Sequence, residues 1–515
     1  MGIQQFVCDK NTAVVETKKG KVRGYVYGGL TIFKGIPYAK AKRFHSPVET
    51  EKWEDVMECT SYGFVCPLLG TGKPGGELRV PHRFWPMDED CQNLNVWTPG
   101  LDDKKRPVVV WLHGGGYEAG SAIEHKAYSG ANMSRLGDVV VVSVNHRLNI
   151  LGYFDMSDFG EEYANSGNAG GDDIIMALHW VHDNIANFGG NPDNVTVAGQ
   201  SGGGAKVTTL LQSPAADGLY HKGIIMSGVL SYILPDAVGS AKETAQLLMK
   251  ELNVSTAKEL EEVDVHLLFK AFNKIRPQLE GTGKNIGLRP HPNATYVGEP
   301  ATVEFREETK NIPLLVGSVF GEVAAFGAPE YDKYSMSKEE QIQVLEDKFG
   351  KEKADKLIAL FEKGYPMRHV IDVLMLDYVF RGPQIPYVAK RSALNDCTWS
   401  YLFNMDQPID GGCTPWHCSD IPYFFHNIDL VPYTHAENVD AQKVQEEIFQ
   451  RVMAFVRTGN PNADGFAEWE PSRPGCEKTL MIDEKSVVRE NIDHELLPFL
   501  QECMTEGLAW DKLQH

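Results

Sequence analysis

Gly199-Gln200-Ser201-Gly202-Gly203 is the stretch whose reading decides the fold. The run Val195, Thr196, Val197, Ala198 leads into it, and residues 205–211 follow it. β-Branched residues that meet glycines and then good helix formers read as strand, sharp turn and helix, with the serine at the strained apex. That is the setting of a nucleophile elbow. A serine hydroxyl attacks poorly until a base takes its proton, and such a turn pushes its oxygen out of the sheet toward one. The flanking glycines let backbone and helix approach without Cβ clashes.

Two strongly apolar runs upstream, 108–112 and 139–144, lack polar alternation and are expected to be strands buried on both faces of a parallel sheet. The first runs straight into His113-Gly114-Gly115-Gly116. This glycine loop is a candidate oxyanion hole, because only residues without side chains let two backbone N–H groups converge on one small anion. Ile174, Leu178, Val181, Ile185 and Phe188 recur at helical steps, and Gly189-Gly190 with Pro192 beyond ends that helix. A crossover helix between parallel strands is the repeat of a doubly wound α/β fold.

Further out, residues 13–39 alternate apolar and polar positions between glycines and suggest short antiparallel strands. From 59 to 90 the composition shifts to Gly, Pro and charge, which reads as a long surface loop carrying Trp85. After Ile225 the chain turns helical, with capping-box patterns from Ser240 to Glu243 and from Ser337 to Glu340. Strand-like runs return at 312–317 and 399–403. A last helix carries Val444, Ile448, Val452 and Phe455 on one face and stops at Gly459 and Pro461. No Pro- or Ser-rich linker divides the chain, so residues 1–515 are expected to form one domain, with a helix-rich, acid-bearing cap over 230–390.

With 42% hydrophobic and 23% charged residues, the composition is that of an ordinary globular protein. Fifty basic against seventy acidic residues give a formal charge of -20, which opposes binding to nucleic-acid phosphates and anionic membranes. Neither partner is expected. No basic stretch followed by an apolar core opens the chain, and no run of 18 apolar residues occurs, so a soluble, cytoplasmic location is expected. The nine cysteines are expected to be mostly reduced.

In α/β hydrolases the catalytic order is serine, acid, histidine, each on a loop at the carboxyl end of a strand. After the run 312–317 the next acid is Glu322, and after 399–403 the first histidine is His417. Histidine titrates near neutrality and so can take the serine proton and return it to the leaving group. The acid fixes the tautomer and stabilises the imidazolium. Asp420 rivals Glu322 for the acid, and His426 and His435 rival His417 for the base. Cys413, His417 and Cys418 resemble three ligands of a zinc site, but a clear fourth ligand is missing.

Across almost its full length the chain resembles the type-B carboxylesterases, the family that includes cholinesterases. The motifs that carry the resemblance are Phe33-Lys34-Gly35-Ile36-Pro37-Tyr38-Ala39, Glu89-Asp90-Cys91-Gln92-Asn93-Leu94-Asn95-Val96, His113-Gly114-Gly115-Gly116, Asn145-His146-Arg147-Leu148 and Gly167-Asn168. Phe188-Gly189-Gly190-Asn191-Pro192-Asp193-Asn194-Val195-Thr196, the serine turn and Thr458-Gly459-Asn460-Pro461-Asn462 complete the series in order. The resemblance implies an α/β-hydrolase fold: a large, mostly parallel twisted central sheet with helices on both faces and a helical cap. It implies hydrolysis of a small-molecule carboxylic ester without cofactor or metal. Ser201 would be the nucleophile, Glu322 the acid, His417 the base, and Gly114, Gly115 and Gly202 the oxyanion donors. Cys66 and Cys91 fall where the family often closes a loop with a disulfide.

The family commonly has Glu, Ser and Ala at the elbow, where this chain has Gln200, Ser201 and Gly202. The loop after Ala39 is shorter than usual, and residues 289–300 lack the usual aspartate-glycine motif. These departures bear on the substrate and not on the reaction. The neutral Gln200 argues against a specialised choline esterase, despite Trp85 and the net charge. Some members keep the fold and lose the triad, serving in adhesion, so a catalytically silent binding protein is the alternative function.

Overall fold

The computed structural model describes residues 5–70, 83–326, 331–409 and 412–504. They fall into two compact units, one formed by the described residues up to 312 other than 226–232, the other by 226–232 and those from 313 onward.

In the first unit the strands lie side by side in the order Phe6–Val7, Tyr25–Tyr27, Leu30–Pro37, Asn93–Thr98, Val140–Val144, Arg106–Leu112, Gly190–Gln200 and Lys222–Met226. The outer strands pair antiparallel, Tyr25–Tyr27 and Leu30–Pro37 as a hairpin, and Val14–Glu16 pairs antiparallel with Lys21–Arg23 in a separate small sheet, as the alternation over 13–39 predicts. The middle is parallel: Arg106–Leu112 pairs with Val140–Val144 on one side and with Gly190–Gln200 on the other. Val108, Val109, Val110, Trp111 and Leu112 are all buried, as are Val140, Val141, Val142 and Val144. β-Branched side chains on both faces make such strands stable only between two covering layers.

The helix Ala169–Asn184 buries Ile174, Leu178 and Val181 and tightens into a short 3-10 turn, Ile185–Phe188. Gly189 then takes a left-handed conformation at φ 79° that reverses the chain into the next strand. That strand, Gly190–Gln200, is longer than the run 195–198 suggests, and its register shifts between Gly190 and Val195. Gly199 packs its α-carbon against the backbone of Gly203, the close approach that lets helix Gly202–Leu211 fold back onto its own strand.

A helical cluster in the same unit, formed by Lys242–Leu252, Ala257–Glu261 and Val265–Ile275, buries Leu248, Leu260, Phe269 and Phe272. The capping box expected from Ser240 to Glu243 does not form. The helix starts two residues later, at Lys242, and Ser240 instead donates to Asp158 and accepts from the Lys242 N–H. A capping box does form at Thr256 with Glu259.

The second unit has its own ladder, Leu314–Val319, Thr398–Phe403 and Lys478–Ile482 in parallel, then Val487–Glu490 antiparallel. Ser337 and Glu340 form the expected capping box on Lys338–Phe349. The helix Val439–Thr458 is capped by Asn438, buries Val444, Ile448, Val452 and Phe455, and ends at left-handed Gly459. Arg381, fully buried, is held by Glu477 at 2.7 Å and Asp493 at 2.9 Å. Among the described residues no helix is long and apolar enough to cross a membrane. The described parts of the loop expected over 59–90 carry one isolated bridge, Val65 with Met87, and residues 71–82 lie outside the description.

Gly199→Ala is expected to destabilise the protein by about 3 kcal/mol, because its methyl group would meet the Gly203 backbone, which cannot yield like a side chain. Urea unfolding checks this; a midpoint shift equivalent to under about 0.5 kcal/mol, within the range of ordinary surface substitutions, would contradict it.

Candidate functional site

Parallel register brings two loops out at one end of the first unit's sheet. Val195 pairs with Val108 and Gly199 with Leu112, so Ser201 and His113 leave neighbouring strands at the same level. Ser201 sits at φ 56° and ψ −127°, a conformation that non-glycine residues adopt at a cost of about 1–3 kcal/mol. The helix Gly202–Leu211 begins at the next residue, so its first N–H groups and the positive end of its dipole face the serine. A methyl group on Gly114 would lie 3.4 Å from Ser201 Cβ and 3.2 Å from the Gln200 carbonyl, so the glycine loop rests against the elbow. A methyl group on Gly202 would collide with the backbone of Gly116. This chain's backbone therefore leaves no room for a side chain at position 202. Gln200 is fully buried.

The glycine loop is braced from behind. His113 Nδ1 lies 2.9 Å from the Gly114 carbonyl, an atom that only accepts, so Nδ1 carries the proton. His113 stacks on His146 at 5.0 Å between ring centres. Burial holds both imidazoles well below their usual pKa, and Lys206 adds to the effect, so both are neutral. Several motifs of the resemblance serve the same bracing. Tyr38 donates to the Asn145 carbonyl at 2.7 Å, Asn145 accepts from the Ala122 N–H and donates to Asn93, and buried Arg147 pairs with Asp173 at 2.7 Å.

In the second unit the same logic places the other two candidates. Val319 pairs with Phe403 at the ends of parallel strands, and the loops that follow carry Glu322 and His417. His417 Nδ1 lies 2.6 Å from Glu322 Oε2, and the His417 N–H donates to the Glu322 carbonyl at 3.0 Å. Glu322 Oε1 accepts from Ser227 Oγ at 2.6 Å and from the Val319 N–H at 2.7 Å. Glu322 is fully buried. With Nδ1 donating to the carboxylate, Nε2 of the neutral ring is the acceptor. Phe380 packs on the imidazole at 4.7 Å between ring centres.

The rivals have partners of their own. Asp420 accepts from Tyr401 at 3.0 Å, His426 lies 3.5 Å from Glu446, and His435 pairs with Glu437. The sequence gives no local signal for Ser227 or Asp377. Asp377 accepts three N–H groups, from Val379, Phe380 and Arg381, at the start of helix Arg381–Ser392. Burial raises the pKa of Asp377 and of Asp420, and the charge of Glu322 adds to both shifts. Two of the three neighbouring carboxyls are thereby biased toward the neutral acid.

Cys66 and Cys91 are buried free thiols, and hydrogen bonding to Cys66, ahead of burial, raises the Cys91 thiol well above its usual pKa. Trp85 is half-buried against Tyr62, perpendicular at 5.5 Å, and packs with Val65, Ala122 and Ile123. Among the described residues no group of three or more His, Cys, Asp or Glu side chains could hold a metal ion.

Residues 11–500 match the model of the carboxylesterase family, and the chain belongs to that family. Para-nitrobenzyl esterase of Bacillus subtilis (strain 168) is 32% identical over 491 residues, 94% of this chain and 97% of its own. A solved esterase from Clostridium hathewayi, described as hydrolysing aliphatic aromatic polyesters, is 46% identical with a TM-score of 0.94, covering 98% of this chain and 100% of that one. A carboxylesterase of Geobacillus stearothermophilus superposes with a TM-score of 0.73 at 28% identity, covering 95% of this chain and 100% of its own. The fold is that of the α/β hydrolases, and the chain is a carboxylic ester hydrolase.

Burial, and then the charge of Glu322, pushes Asp420 up to about 7. An acid whose folded pKa lies above its unfolded value of about 4 binds its proton more tightly when folded. The associated stability is fully present below about pH 4 and is lost as pH rises through about 7. Asp420→Asn, which has no proton to lose, should therefore gain on the parent by a few kcal/mol at most between pH 5 and pH 8. Paired Tm measurements across that range check it; a constant Tm difference would contradict it.

Proposed function

We propose that this chain cleaves carboxylic esters in two steps, with Ser201 as nucleophile, His417 as general base and acid, and Glu322 as the acid that orients it. The N–H groups of Gly114, Gly115 and Gly202 receive the oxyanion, and residues 1–515 act as one catalytic domain. Ser201 Oγ attacks the ester carbonyl while His417 Nε2 takes its proton. The tetrahedral intermediate collapses, the imidazolium returns the proton to the leaving alcohol, and an acyl-serine remains. Water, deprotonated by His417, then attacks the acyl carbon, and as the second tetrahedral intermediate collapses the imidazolium returns the proton to Ser201 Oγ and the acid leaves. No cofactor enters either step.

The observation that carries this reading is the buried hydrogen bond from His417 Nδ1 to Glu322 at 2.6 Å. It leaves Nε2 as the basic atom, which the first step requires. The strained Ser201 turn and the glycine loop against it give further support. The substrates are small esters joining an aromatic or aliphatic acid to an aliphatic alcohol, a class extended to this chain from the polyester-hydrolysing Clostridium hathewayi relative.

Ser201→Ala should remove hydrolysis of p-nitrophenyl esters, and of dibenzoates of short aliphatic diols, by several orders of magnitude with the fold intact. His417→Ala should be comparably severe, and the double variant no worse than either alone, since the members act as a unit. Glu322→Gln should lower kcat on the order of 10⁴-fold, the scale of loss when the triad aspartate of a serine protease is changed to asparagine. Activity of Ser201→Ala within tenfold of the parent would remove the nucleophile assignment, and a loss under tenfold for Glu322→Gln would pass the acid role to Asp420.

Choline esters should not be preferred. Gln200 is neutral and buried beside the nucleophile, and a partly solvated cation–π contact at Trp85 contributes only about 0.5–1 kcal/mol. Surface charge is screened beyond roughly 8–10 Å at physiological salt. The ratio of kcat/KM for a choline ester and its neutral 3,3-dimethylbutyl isostere should stay under about tenfold, or roughly 1.4 kcal/mol. A much larger ratio would place a cation site in the pocket.

A further inference from the structure

Every residue of the helix Gly202–Leu211 is buried, and one of them is a lysine. Lys206 exposes 1% of its surface. A buried ammonium is costly, and natural chains keep one where it is paired or put to use. Lys206 Nζ donates to the carbonyl oxygen of His113 at 3.1 Å. That oxygen belongs to the same peptide unit as the N–H of Gly114. In a planar trans peptide the C=O and N–H point in opposite directions, so fixing one fixes the other.

We propose that Lys206 is a positioning residue of the oxyanion loop: by holding the His113 carbonyl it aims the Gly114 N–H at the reacting carbonyl and polarises it into a stronger donor. This rests on the reading of Gly114 as an oxyanion donor. His113 acts in series, since its Nδ1–H holds the Gly114 carbonyl and thereby the next peptide, whose N–H is that of Gly115. Both donors thus have their opposite ends fastened, one by an ammonium and one by an imidazole. Only a neutral imidazole has its second nitrogen free of a proton in that buried stack, and the charge on Lys206 helps keep His113 neutral. Burial draws the lysine down to about 7, while Glu124 and Cys66 pull the other way, so near neutrality the side chain is part ammonium and part amine, and both forms donate to the His113 carbonyl.

The location supports a role in geometry rather than in proton transfer. Lys206 lies behind the glycine loop, its ammonium on a backbone oxygen, little more than one turn along the helix from Ser201. A water could satisfy a lone carbonyl, but it would not carry a charge or a fixed position. An ammonium held by a buried helix does both.

The test uses the full-length enzyme and two variants. Lys206→Met removes the donor and the charge with little change in length. Lys206→Gln keeps a polar group and serves if the Met protein accumulates poorly. Active sites are counted with a fluorophosphonate. Two inhibitors are compared: phenyl trifluoromethyl ketone, which adds to the serine and develops an oxyanion, and the corresponding carbinol, which cannot. Per active site, kcat for p-nitrophenyl butyrate should fall roughly 10- to 100-fold, somewhat less than the loss of a whole oxyanion donor, with KM changed by under about threefold. Affinity for the ketone should fall by a similar factor while that for the carbinol holds. A kcat within about threefold of the parent overturns the proposal, as does equal loss of ketone and carbinol, which would mark general loosening of the pocket. If the parent itself fails to prefer the ketone, the oxyanion reading fails and this inference falls with it.

Discussion

The parallel pairing of Gly190–Gln200 with Arg106–Leu112 is the constraint on which the rest depends. It sets two backbone segments at one level, so that a strained serine and a run of glycines emerge together. Parallel strands cannot be joined by a hairpin, and the long crossover through Ala169–Asn184 is what makes this register available. Everything else in the first unit can be seen as support for the register. The valine-rich strands demand cover on both faces, and the buried polar side chains Asn145, Arg147 and Asp173 tie the loops whose backbone has no ladder to join.

In the second unit one carboxyl group is furnished as an anion among others of its kind. Glu322 has donors on both oxygens: a hydroxyl, a backbone N–H and an imidazole. Asp420 accepts from a tyrosine hydroxyl and Asp377 from a helix start, and both are shifted toward the neutral form. Three carboxyls can sit close together because two of them are shifted away from ionising beside the third.

Much of this was legible in the sequence. The alternation of periods around the serine turn predicts strand, elbow and helix, and the order of strands and loops picks out Glu322 and His417. What stayed open there was the choice among acids and histidines, because contact between residues about a hundred positions apart has no local signature. The capping pattern at Ser240 failed because the helix begins at Lys242 with Ala241 at its N-cap, which leaves Ser240 one residue outside the position a cap must hold. Ser227 and Lys206 escaped notice for a related reason. A serine after a strand and a lysine in a helix are ordinary residues until burial and a specific partner give them work.

The contact between Gly202 and the backbone of Gly116 bears on how such an enzyme can change over generations. An alanine at position 202 would need the glycine loop of this chain to stand farther from the helix, so the two positions form a matched set that neither can leave alone. A lineage holding the tight version cannot drift to the loose one by single steps at the helix without passing through a collision. Divergence of substrate range is thereby pushed outward, to side chains that line the pocket and touch neither glycine, while the innermost backbone is inherited as a unit.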